Sequence, residues 1–283
     1  MHLKPSHTHP RRVAKLDGAM GTELRRRGFE LSAPLFSSQA CITPEGVALV
    51  RAVHTDFLRA GAQSLRSNSF PLLAAVPEIG IERACEIAAT SVRLARNAIQ
   101  GERAAAWVAG CIGPAKDATR EDMLAMARAM LDAGADSILV ETCTTKAMVD
   151  LACSLRMDLD EDLAVSLTLD AEGRLLDGSS LENWPAPDKV PDVLALNCTE
   201  LPHIEIGMRA VTRLAHAWGV PRTGLWPSAS GTNEAGEFVQ SFVSPADFAR
   251  QIAAVVEKRS SIAMVGGCCG AQPAHLLALF AAL

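Results

Sequence analysis

The chain has 283 residues, 49% of them hydrophobic, and a formal charge of -5 from 27 basic and 32 acidic side chains. Its length suits one large domain or two small ones, and a near-balanced charge with no long basic run gives nucleic acid or an anionic membrane surface no footing. No apolar stretch reaches the ~20 residues that a membrane helix needs.

The first residues, MHLKPSHTHPRR, are polar and lack the apolar core and cleavage site of a signal peptide. They are expected to form a disordered tail over 1–12, ahead of one domain over 13–283 in the cytoplasm. Eight cysteines in a reducing compartment should mostly be thiols, so a cluster of them points to metal or catalysis. A homo-oligomer is compatible with the sequence.

In chain order, apolar runs predict strands near 13–17, 63–68, 105–112, 137–141, 163–169, 192–197, 222–227 and 261–266. Helical periodicity falls between them, near 44–60, 78–100, 119–133, 145–157, 203–218 and 245–258, with a last helix near 273–282. Thr43-Pro44-Glu45, Thr119 before Glu121 and Asp122, Ser244-Pro245 and Gln272-Pro273 are helix-start signals. The alternation predicts an α/β fold, a (β/α)8 TIM barrel. Its fifth β/α unit is degenerate, because DAEGRLLDGSSLENWPAPDKVPD has room for a turn of helix at most. An open doubly wound sheet is the alternative, but LDGAMGTEL lacks the glycine spacing of a dinucleotide site.

In this fold active sites form at the C-terminal ends of the strands. Those ends are predicted to carry Asp17 and Gly18, Ser67 and Asn68, Cys111 and Gly113, Glu141 and Thr142, Asn197 and Cys198, Ser228 and Ser230, and the run Gly266, Gly267, Cys268 and Cys269. VGGCCG sets two adjacent thiols among glycines after an apolar strand, and adjacent cysteines rarely bond to each other. Cys198, at the end of a different strand, could complete a three-thiolate zinc site with an open fourth position, the arrangement of a catalytic metal. The competing reading is that all three are small core residues.

LDGAMGTEL at 16–24, ILVETC at 138–143, ALNC at 195–198 and GGCCG at 266–270 resemble the signature segments of the homocysteine S-methyltransferase family. The resemblance runs from about residue 13 to the last residue. It implies the barrel fold, zinc held by Cys198, Cys268 and Cys269, and homocysteine plus a small methyl donor as partners. It also implies that Asp17 and Glu141 bind the substrate's ammonium. Gly18 allows close backbone approach, and amides around Ser67 and Asn68 are candidates for the carboxylate. The alternatives are a helix or turn cap for Asp17 and a salt bridge to Lys146 for Glu141. Zinc is needed because a free thiol, of pKa near ~8.5, is a poor nucleophile until deprotonated.

Cys41, Cys85 and Cys153 are expected to pack, Cys111 and Cys143 to line the site, and His54, His203, His216 and His275 to sit on helices away from it. The chain departs from the family in having no tyrosine and in reading WPSASG after the seventh strand, with Ser228 in the place of asparagine. Trp184, Trp226 and Phe70 are the aromatic candidates for a cationic donor, with ordinary packing as the alternative. These departures bear on the donor. A sulfonium, S-methylmethionine or S-adenosylmethionine, is the leading expectation. Betaine and a methylated corrinoid protein are its rivals, and a non-catalytic zinc or thiol-binding barrel is the reading from another class. A zinc hydrolase is weaker, since three thiolates acidify a bound water poorly.

Overall fold

The computed structural model describes residues 13–232, 238–239 and 243–283, so the tail expected at 1–12 lies outside the described residues. The strands are β1 (Ala14–Lys15), β2 (Ser64–Arg66), β3 (Trp107–Ile112), β4 (Ser137–Cys143), β5 (Asp162–Leu167), β6 (Val193–Glu200), β7 (Arg222–Ser228), β8 (Gly231–Thr232), β9 (Phe238–Val239) and β10 (Ile262–Val265). Eight of them form one parallel sheet in the order β1-β10-β7-β6-β5-β4-β3-β2, and β8 and β9 pair separately. A parallel bridge between Leu16 and Ser64 joins the two ends of the sheet and closes the barrel. The (β/α)8 barrel read from the alternation is thus the fold.

The helices are α1 (Met20–Arg26), α2 (Pro44–Arg59), α3 (Leu72–Ile79), α4 (Ile81–Glu102), α5 (Arg120–Asp132), α6 (Lys146–Ser154), α7 (Ile204–Trp218), α8 (Pro245–Glu257) and α9 (Pro273–Ala281). The Thr43, Thr119 and Ser244 side chains each accept an amide of the first turn, and Gln272 closes a capping box with His275. The helix expected at 78–100 is α4, and Gly80, at φ 78°, separates it from α3, which the periodicity did not announce. The first connection also holds α1 and a 3-10 turn over Phe36–Cys41 that the periodicity does not announce.

Two apolar layers follow from strand alternation. One lies inside the barrel, where Leu16, Ala109, Leu139, Ala164, Val193, Ala195, Trp226 and Met264 pack together. Gly224 makes room there, since a Cβ on it would stand 2.5 Å from the Trp226 ring. The other, larger layer separates sheet from helices and takes the intervening residues, such as Leu65, Val108, Leu194 and Leu196. The lumen is therefore filled below and polar only toward the strand ends. Between β5 and β6 no helix forms, and Trp184 instead plugs the layer edge-on against Trp218 of α7, with ring centroids 5.1 Å apart. The irregular segment leaves a cleft of about 620 Å³ against α7, lined in part by Arg174, Arg209 and Arg213 and by none of the strand-end residues predicted for the site.

Candidate metal centre

Strict alternation would turn Cys198 away from the lumen. Leu194 and Leu196 point to the helices and Val193 and Ala195 inward, so residue 198 falls on the outer set. Two departures from regular strand reverse this. The register between β6 and β7 slips between Asn197 and Glu200, and Cys198 adopts a left-handed backbone with φ 51°. β4 does the same at its end, with a slip between Val140 and Cys143 and Thr142 at φ 64°. Such conformations cost a non-glycine residue about 1–3 kcal/mol and persist only where neighbours enforce them. Asn197 is that neighbour. Its Oδ1 accepts the Thr142 amide and the Thr168 hydroxyl, and its Nδ2 donates to the Thr142 hydroxyl at 2.9 Å. The Ser228 hydroxyl donates to the Cys198 carbonyl.

Across the mouth, the turn after β10 presents the other two cysteines. The Cys268 amide donates to the Pro227 carbonyl, while the Cys269 carbonyl accepts the Ala229 and Ser230 amides. All three sulfurs lie within 4.8 Å of one another. Cys198 and Cys268 are joined as a disulfide with Cα atoms 5.4 Å apart, and the Cys269 Sγ is 3.8 Å from that of Cys198. The remaining six cysteines are free. The tetrahedral edge of a zinc site with Zn–S bonds of about 2.3 Å is itself about 3.8 Å, so the Cys198–Cys269 spacing fits a metal, with the paired sulfurs reduced.

Beside the sulfurs lies a buried charge cluster. Arg66 sits on β2 with Ser64, the inward partners of outward Leu65, and is 8% exposed. Its Nε donates to Asp17 Oδ1 at 2.7 Å and its Nη1 to Glu141 Oε1 at 2.8 Å. The Nη2 reaches the carbonyls of Asp17, Gly18 and Gly267. Burial pushes the Asp17 carboxyl up to about 6, with Arg66 opposing and Glu141 adding to the rise. Burial also works against the guanidinium, but Glu141 and Asp17 outweigh it and hold its pKa above the ordinary value. Neither a cap at Asp17 nor a bridge from Glu141 to Lys146 is what forms; both carboxylates pair with Arg66. Sequence reading missed this residue, although a charge at an inward position of a barrel strand was a usable signal.

The other predicted residues divide. Ser67 is consumed by the fold, its amide donating to the Ala109 carbonyl and its hydroxyl accepting the Cys111 amide. Asn68 is buried, its side chain donating to the Ser37 carbonyl, and among the described residues its own amide has no hydrogen-bond partner. The close approach at Gly18 is to the protein itself, since a Cβ would meet the Ala271 carbonyl at 2.4 Å. Cys111 lines the site as expected, donating to Glu141 Oε2 at 3.0 Å, and burial followed by the Glu141 charge pushes its thiol well up. Cys143 does not line it, because the slip at the end of β4 sends its side chain into the outer core. Trp184 and Trp226 are not loop residues at the mouth either: Trp184 packs outside against Trp218, and Trp226 belongs to β7 and fills the lumen. Phe70 remains at the strand ends, 38% exposed. Cys41 and Cys153 are buried, and His54 and His275 are buried on helices.

Residues 15–283 match the profile of the family described as homocysteine S-methyltransferase. The chain belongs to the homocysteine S-methyltransferase family. The "Homocysteine S-methyltransferase" of Escherichia coli (strain K12) is 28% identical over 94% of each chain. The "Methionine synthase" of Mycobacterium tuberculosis (strain ATCC 25618 / H37Rv) is 24% identical over 96% of this chain and 25% of that protein. Crystal structures of the homocysteine methyltransferase MmuM from Escherichia coli superpose on this family member along nearly the whole chain. The oxidized form gives a TM-score of 0.72 at 26% identity over 95% of both chains. The metallated form gives 0.71 at 26% identity over 95% of this chain and 96% of that one. The family likeness carried by the four signature segments therefore holds along the barrel, and the chain is an enzyme of this methyltransferase family. Among the described residues no helix is long and apolar enough to cross a membrane.

Proposed function

We propose that this enzyme transfers a methyl group from a small sulfonium, S-methylmethionine or S-adenosylmethionine, to homocysteine, with Zn2+ held by Cys198, Cys268 and Cys269. The observation that carries the reading is the convergence of three sulfurs, from strand ends separated by 70 residues of chain, within 4.8 Å. Zinc supplies a thiolate at neutral pH where a free thiol remains mostly protonated. The protein does the rest by placement. Asp17 and Glu141 offer carboxylate oxygens to the acceptor's ammonium, and the unpartnered Asn68 amide offers a donor to its carboxylate. Cys111 stays protonated beside Glu141 and so does not compete as a ligand. Trp226 and its apolar neighbours floor the site and keep water from entering below.

A sulfonium suits a mouth with this composition. As the acceptor's sulfur forms its bond to the methyl carbon, the donor's S–CH3 bond breaks and a neutral thioether leaves, so the chain need supply no general acid. Betaine, a quaternary ammonium, is better served by several aromatic faces. Trp184 and Trp226 are engaged elsewhere, which leaves Phe70. Similarity to part of a methionine synthase favours a corrinoid-bound methyl as the second reading. A metal site built on Cys198, Cys268 and Cys269 needs those cysteines reduced, which favours a reducing compartment such as the cytoplasm for the working enzyme.

A donor panel with L-homocysteine and reduced, zinc-loaded protein tests the assignment. Methionine should form with a sulfonium donor and not with betaine, and Cys268→Ala should abolish turnover. Robust turnover by metal-free protein, or zinc and thiol binding with no transfer from any donor, contradicts it.

A further inference from the structure

The cation at the mouth calls for its own account. Arg66 is buried, yet it is no lone structural arginine, for it spans the two carboxylates assigned above to the acceptor's ammonium. Each of the four carboxylate oxygens already receives a donor from the protein. Asp17 Oδ1 takes the Arg66 Nε and Oδ2 the Arg66 amide, while Glu141 Oε1 takes Nη1 and Oε2 the Cys111 thiol. The guanidinium cannot swing aside cheaply, since three carbonyls, of Asp17, Gly18 and Gly267, hold its Nη2 across the ends of β1 and β10. Two ionised carboxylates and one guanidinium sum to a single negative charge, half of what an incoming ammonium would meet without Arg66.

We propose that Arg66 is a specificity-determining residue of this site: a built-in cation between Asp17 and Glu141 that cancels one of their two charges and occupies a hydrogen-bonding place on each, so that an acceptor's ammonium adds much less to thiol binding than two free carboxylates would give it. The inference rests on the assignment of Asp17 and Glu141 to the ammonium. It predicts that the des-amino thiol, 4-mercaptobutanoate, is bound nearly as well as L-homocysteine, and that residue 66 sets the difference.

Calorimetric titration of the reduced, zinc-loaded full chain with each thiol tests this without reference to the donor. A fully used charge-assisted pair is worth roughly tenfold to a hundredfold in affinity. The wild type should therefore discriminate by less than about tenfold. Arg66→Gln should raise the preference for L-homocysteine by at least about tenfold, and Arg66→Lys, which keeps the charge but cannot make all five of the guanidinium's contacts, should fall between wild type and Arg66→Gln. A merely structural arginine would weaken both thiols alike and leave the ratio unmoved. A wild-type preference above about tenfold, or an unchanged ratio in folded Arg66→Gln, overturns the inference while leaving homocysteine binding intact. Failure of the zinc form to bind L-homocysteine at all removes the function itself. Should Arg66→Gln not fold, the wild-type ratio decides alone.

Discussion

Asn197 shows how the chain spends conformational energy to build this site. Cys198 near the end of β6 and Thr142 near the end of β4 both stand in the left-handed region, and the fully buried Asn197 carboxamide, adjacent to Cys198 in the chain, bonds Thr142 across β5. Asn197→Ala strands those groups in the interior, which costs about 2–3 kcal/mol, and frees Cys198 to relax outward. Zinc affinity, read by competition with a chelator, should fall about 10–100-fold, the usual effect of removing a group that orients a ligand. An unchanged zinc affinity in folded variant would show that Cys198 needs no such clamp. The three cysteines were legible because each interrupts an apolar strand at its end, and GGCCG has little other use. Arg66 stood in view as a lone charge within a predicted strand, but its role was not legible, because it depends on Asp17 and Glu141 being brought to it from the end of β1 and from β4. The disposition of Cys198 was hidden too, since a strand slip depends on contacts from another strand.

At the level of elements, the strands and most helix starts follow directly from local chemistry: Thr43, Thr119 and Ser244 cap where their hydroxyls meet free amides. The short α3 was not legible, because its eight residues, with Pro77 among them, offer little more than two turns of periodicity. The fifth connection was recognisable from its glycines and prolines, but what replaces the helix was not. The Trp184 ring stacks on its edge against Trp218, the Trp218 indole donates to the Trp184 carbonyl at 2.9 Å, and the Lys146 ammonium lies 5.0 Å from the Trp184 ring centre. Trp184→Ala should therefore cost about 3–5 kcal/mol in urea unfolding, as removal of a buried aromatic does, while zinc stoichiometry stays at the wild-type value. A loss below about 1 kcal/mol would mean the segment is a loose covering and no substitute for a helix.

Taken as a whole, the molecule couples a filled barrel to a polar rim, and its acid stability should reflect one buried group far from that rim. His54 on α2 is fully buried, both ring nitrogens lack partners among the described residues, and burial lowers its pKa from 6.5 to about 3. The unfolded chain then binds a proton that the folded one refuses between those values, so stability falls as pH drops below 6.5 and the loss is complete near 3. Between pH 7 and pH 4.5 the wild type should lose about 2–3 kcal/mol more than His54→Phe in urea unfolding, and equal losses would deny the histidine this role. Convergence of distant residues at the strand ends is likewise a property of the closed barrel, and it brings Cys198 to Cys268 and Cys269. Zinc quantification on reduced, zinc-replete protein and on Cys198→Ala tests that claim most directly. The account predicts about one zinc per wild-type chain and about a tenth or less in the variant. Wild-type protein without zinc, or a variant that keeps its full complement, would contradict it.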